Sequence, residues 1–225
     1  MYFFGCIIIV VIVGFPIYYL WLSHEAKVTN TLHNIPEKKI SEVIGGEIVR
    51  IRGKIKYFDK PMIAPLSGSE CVYYHVTLEE KSNDRHSTEG GIKLWSTILD
   101  EEFAESVVIH NGKDYAYIDT TIVNSYLVMD KEWNSGYNRN ATQRMEKFLE
   151  SYKEKSTDYF DRNRELRYRE GVLQKDEIIS VAGKATWKNK NDFNFDIPVE
   201  RILVISAHGS EPVYLSNEPF ATGTG

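Results

Sequence analysis

Apolar and polar positions divide the chain into three regimes. Residues 2–22 (YFFGCIIIVVIVGFPIYYLWL) carry no charged side chain. Twenty-one residues at ~1.5 Å of rise each span ~31 Å, the thickness of a bilayer's hydrocarbon core. Tyr2, Tyr18, Tyr19 and Trp21 stand near the two ends, where amphipathic rings favour the membrane interface. No Lys or Arg precedes the run, and Ser23-His24-Glu25-Ala26 is a poor cleavage match, which argues against a removed signal peptide. The pattern therefore predicts an N-terminal transmembrane helix over 1–23, with lipid bilayer as the partner of residues 2–22. Lys27, Lys38 and Lys39 follow the run, so the positive-inside rule predicts a single-pass membrane protein whose remaining chain is cytoplasmic. Residues 24–44 are polar, are interrupted at Asn34-Ile35-Pro36, and read as a linker.

From residue 45 onward the period is mostly two. Glu47–Ile55 alternates, with Ile51 and Ile55 on one side and Arg50, Arg52 and Lys54 on the other. Further strands are predicted at 71–78, 92–99, 106–109, 115–118 and 121–129, with a turn signal at Asn111-Gly112. One helix interrupts them over 141–160. Met145, Phe148, Leu149 and Tyr152 fall at i, i+3, i+4 and i+7, and Asn140 with Gln143 reads as its cap. The ten residues 46–55 (GEIVRIRGKI) are echoed by 176–185 (DEIISVAGKA). The predicted fold class is mainly β, a β-rich α+β domain over 45–218. It comprises two related small sheets or barrels, as an internal repeat over 46–139 and 171–215, joined by the helix. Residues 219–225 read as a flexible tail.

Composition narrows the chemistry. Thirty-two acidic against 27 basic residues leave a net charge of −5, with no basic excess to bind nucleic acid. Two cysteines cannot build a disulfide scaffold, and Cys6 lies in the apolar run. Cys71 and His75 invite comparison with a thiol–imidazole pair. Four residues of strand place them ~13 Å apart, whereas a nucleophile and its base must stand ~3 Å apart. The same distance prevents them from sharing a metal ion. No phosphate loop, zinc-protease helix or Gly-x-Ser-x-Gly elbow is present. The reading is therefore no catalytic residue, no metal site and no cofactor. In Asp161–Glu170 (DRNRELRYRE), arginines and acids alternate closely enough to read as a solvated, salt-bridged face.

The stretch PMIAPLSGSECVYYHV (61–76) carries the candidate contact surface. Pro61 and Pro65 fix φ and withhold donors, and Ser67-Gly68 reads as a tight turn. Pro61, Met62, Ile63, Pro65, Leu66, Ser67 and Gly68 would then form a stiff loop presenting Met62, Ile63 and Leu66 to a protein partner.

This stretch, together with EIVRIRGKI (47–55), LRYREGVL (166–173) and DEIISVAG (176–183), resembles the GIDE family. Its extramembrane part is also called the BAM, or "beside a membrane", domain. The resemblance covers roughly residues 40–215. It implies a partner-engaging domain with Cys71, Tyr73, Tyr74, Tyr168, Glu170, Gly171 and Gly183 as family-motif structural positions. Eukaryotic members are MULAN-type E3 ubiquitin ligases ending in a RING, and prokaryotic relatives share the domain. A RING needs eight Cys/His ligands in close pairs, whereas this chain has two cysteines, six histidines and no Cys-x-x-Cys. The expected function is a membrane-anchored, non-enzymatic protein-binding or sensing module. The alternative is a ligase-like protein whose RING is missing, truncated or on another chain.

Overall fold

The computed structural model describes residues 24–81, 95–193 and 198–223. The fold is mainly β and its chain forms two compact units. The first unit comprises the chain up to Lys54, Val108–Tyr126, and everything from Ile178 onward; the second comprises Ile55–Val107 and Leu127–Glu177. The chain thus passes between units four times.

In the first unit, β1 (Ile48–Lys56), β6 (Val107–Asn111), β7 (Asp114–Ile118), β12 (Arg201–Ser206) and β11 (Ile178–Asn189) are hydrogen-bonded in that order. Antiparallel pairing of β1 with β11 closes them into a five-stranded ring. β13 (Val213–Ser216) continues from β11, and β8 (Val123–Tyr126) lies parallel to β13. In β1, Val49, Ile51, Gly53 and Ile55 are buried, whereas the basic side chains between them are not. Closure of the ring leaves no free edge on those five strands over the paired residues.

The two segments that echo one another in sequence are direct neighbours. Ile51 stands opposite Val181, Val49 opposite Gly183, and Gly53 opposite Ile179. Each glycine admits the next strand. A Cβ on Gly53 would lie 2.8 Å from the carbonyl oxygen of His110, and one on Gly183 would lie 2.8 Å from that of Ser206. Such approach is closed to any other residue without displacement of a backbone.

Three expectations at the chain ends need correction. No helix among the described residues is long and apolar enough to cross a membrane. The longest, α1 (His24–Asn34), has 11 residues and reaches only ~17 Å. The described residues thus give the predicted N-terminal transmembrane helix no support, and residues 2–22, where it was predicted, lie outside them. Second, 24–44 is not a linker. Val28 and Leu32 of α1 pack with Ala182, Tyr214 and Ala221, and His24 Nε2 lies 2.7 Å from the carbonyl oxygen of Ser125. Ile40 and Val43 are buried as well, and the Trp187 indole N–H donates to the Val43 carbonyl (3.0 Å). Third, residues 219–222 are ordered as the short helix α3 (Pro219–Thr222), with Ala221 and Thr222 buried.

The second unit has its own core. β5 (Trp95–Ala104), β4 (Tyr73–Lys81), β10 (Leu166–Leu173) and β9 (Lys131–Ser135) form an antiparallel sheet in that order. One face carries α2 (Gln143–Ser151), whose Met145, Phe148 and Leu149 pack against Leu66, Val76, Leu78, Leu166 and Tyr168. The helix is shorter than the predicted 141–160 and starts later. Asn140 Oδ1 accepts from Asn163 Nδ2 (2.8 Å), so the cap falls to Thr142, whose hydroxyl accepts from the Met145 N–H. The opposite face of the sheet is polar, and ion pairs run across it. Arg167 reaches Glu79 at 2.6 Å and Arg169 reaches Glu79 at 3.2 Å. On the face that carries α2, where Glu80 stands opposite Leu166, Arg164 holds Glu80 with two nitrogens (2.9 and 2.8 Å) and Glu154 at 2.9 Å. This pairing keeps the Glu80 carboxyl below its usual pKa.

Candidate functional site

The proline loop lies in the second unit and is fixed from several sides. β2 (Met62–Ile63) pairs with β3 (Glu70–Cys71), placing Met62 opposite Cys71 and Ile63 opposite Glu70. Inside this hairpin, the Ala64 N–H donates to the Ser69 carbonyl and the Gly68 N–H to the Ala64 carbonyl, both at 2.9 Å. Gly68 has φ +73°, a left-handed backbone that favours glycine.

The decisive contact comes from Glu170 in β10. Its side chain is fully buried, and its carboxylate accepts the Leu66 N–H at 2.8 Å and the Ser67 N–H at 3.0 Å. Pro65 has no N–H, so the next two amides of the turn are the ones that the carboxylate satisfies. Lys131 Nζ donates to Ser69 Oγ at 2.9 Å and ties β9 to the same loop. Gly171 follows Glu170 because a Cβ there would lie 2.8 Å from the Val128 carbonyl oxygen.

Cys71 is buried against Ala64 and Val172. Burial pushes its thiol up to about 11, and the neighbouring Glu170 charge adds to the shift. A thiol so placed is a poor nucleophile at neutral pH. His75 is turned to other partners: Nε2 lies 2.5 Å from Asp100 Oδ1 and Nδ1 lies 3.5 Å from Glu102 Oε1. The strand also breaks between them, since Cys71 ends β3 and β4 begins at Tyr73. The Tyr73 hydroxyl donates to Glu102, Tyr74 stacks on Phe103, and Tyr168 is buried with its hydroxyl 3.4 Å from Ser135 Oγ. Of the predicted family-motif positions, Gly183 alone lies in the first unit.

The predicted contact residues divide. Ile63 is 54% exposed, and Pro61, Met62 and Pro65 are partly exposed. Leu66, expected to face a partner, is only 5% exposed and belongs to the core under α2. Its amide is held by Glu170, and the side chain is directed inward. Ser67 and Gly68 are half-buried.

Sequence reasoning missed the other wall of the site. Pro65, Gln143, Arg144, Lys147, Phe148 and Ser151 line a groove of about 420 Å³ between loop and helix. The Arg144 guanidinium lies directly over Gly68, where a Cβ would come within 2.5–2.7 Å of it. Arg144 and Lys147 sit at i and i+3 on α2, and Arg144, one turn before Phe148, borders the apolar face that the periodicity revealed. The groove thus has an apolar floor of Pro65 and Phe148 and a cationic rim. No family model matches the chain, and no curated protein or solved structure matches it.

Proposed function

We propose that this chain is a non-enzymatic protein-binding module of the GIDE/BAM kind, and that its contact surface is the Pro61–Gly68 loop with the adjoining groove of α2. The observation that carries this reading is the buried Glu170 carboxylate holding the Leu66 and Ser67 amides. A charge is sequestered to immobilise a loop whose Ile63 is left exposed. Recognition loops gain affinity from such preorganisation, because less ordering entropy is lost on binding. The nearby chemistry fits binding better than turnover, because the Cys71 thiol is buried and protonated at neutral pH.

A photo-crosslinking residue at Ile63 in the full chain tests the surface. Ile122 is an equally exposed control at 53% and lies in the other unit. Discrete adducts from Ile63 and not from Ile122 are expected in native cells. Identical adduct patterns from both positions would remove the loop as the contact surface.

A further inference from the structure

The groove beside the loop also indicates what kind of partner it takes, an inference that rests on the contact surface described above. Arg162, Arg164, Arg167 and Arg169 each lie in an ion pair with an acidic side chain. Arg144 and Lys147, on the same unit, have no ion-pair partner among the described residues. They are nonetheless positioned: Arg144 is seated on Gly68, and Lys147 lies one turn further along α2. Arg144 is also in the first turn of its helix, the end where the backbone dipole favours an anion over a cation. The whole chain has a net charge of −5, so this cationic rim is a local reversal of sign. Pro65 of the loop and Phe148 of α2 line the same cavity of about 420 Å³ as the two cations and give it an apolar floor.

We propose that the groove receives an acidic segment of a partner polypeptide. A Glu or Asp side chain of that segment meets Arg144 and Lys147, and a neighbouring aliphatic or aromatic side chain lies on Pro65 and Phe148. A membrane surface is the poorer fit. Attraction to anionic lipid is ordinarily built from ~4–8 clustered cations, whereas here two cations share their helix with Glu146 and Glu150. A recessed apolar floor suits a single side chain.

Binding to the full chain would be followed by fluorescence anisotropy with three probes. These are a short synthetic peptide alternating Glu and Leu, its Gln–Leu counterpart, and phosphatidylserine vesicles. The Glu–Leu peptide is expected to bind, to weaken as salt is raised, and to bind roughly 10-fold more tightly than the Gln–Leu peptide. R144E/K147E should lower its affinity by roughly 10-fold or more while circular dichroism and Tm stay unchanged. K147E alone serves if the double variant fails to fold, since it is Arg144 that is seated on Gly68. Failure of the Glu–Leu peptide to bind, equal binding of both peptides, or binding of vesicles alone through these two cations would overturn the proposal. Crosslinking from Ile63 separates the two levels of inference. Adducts that persist in R144E/K147E retain the contact surface and overturn the acidic occupant. Adducts absent from the wild-type chain remove the surface itself.

Discussion

Glu170 offers the sharpest test of how the loop is held. Its carboxylate is fully buried, and its two amide partners lie at 2.8 and 3.0 Å. A hydrogen bond to a charged group is worth ~1.5–3 kcal/mol net, so the pair supplies ~3–6 kcal/mol. Replacement by Ala also removes a buried charge, and the lost desolvation cost returns part of that sum. Glu170→Ala is therefore expected to cost ~2–4 kcal/mol. At ~2–4 °C of Tm per kcal/mol for a chain of this size, the fall is roughly 4–16 °C. Glu170→Gln keeps the shape and one acceptor oxygen but loses charge assistance, so roughly half the effect is expected. Thermal unfolding gives the total. Amide hydrogen exchange at Leu66 and Ser67 locates it, because those two amides should exchange at least ~10-fold faster in Glu170→Ala. A change within ~0.5 kcal/mol in both variants, with unaltered exchange at the two amides, would refute the anchoring role.

Two further outcomes follow from the packing. Gly53→Ala and Gly183→Ala should each cost ~1–3 kcal/mol, because each Cβ meets a carbonyl oxygen at 2.8 Å; unfolding midpoints of both variants equal to wild type would show that the ring tolerates wider strand spacing. The Cys71 thiol is raised from 9.0 to about 11, so the native state holds this proton more tightly than the unfolded chain does. The stability that this contributes is complete below about pH 9 and is lost as pH rises toward 11. Comparing urea midpoints at neutral and alkaline pH, wild type should lose more stability than Cys71→Ala on going alkaline, and equal losses would contradict the raised value.

The sequence revealed what short-range physics determines. Alternation in Glu47–Ile55 found β1, and the 3.6 period of Met145, Phe148 and Leu149 found the buried face of α2. Proline and glycine located the turn at 65–68. It failed where the determining partner is distant. Nothing local to Glu170 shows that its carboxylate anchors amides 104 and 103 residues earlier. α1 read as linker because only Val28 and Leu32 are buried along its 11 residues, too sparse a stripe to stand out from a polar background. The cap of α2 shifted from Asn140 because Asn163 claimed that side chain. Arg144 and Lys147 were passed over because single cations on a helix ordinarily mark a solvated face; it is Gly68, brought alongside by the loop, that distinguishes them.

Closure of the five-stranded ring sets an order on synthesis. β1 is among the first strands to leave the ribosome, yet its antiparallel partner is β11, and Ile48 meets Lys184 only when most of the chain has been made. Contacts so far apart in sequence fold slowly, since the intervening loop must be closed before any pairing energy is returned. Until then the edge of β1 that pairs with β11 is open to other strands, with Val49, Ile51 and Ile55 uncovered beside it. Its Arg50, Arg52 and Lys54 then act as gatekeepers on the nascent chain, keeping growing polypeptides apart by charge during the interval before β11 arrives.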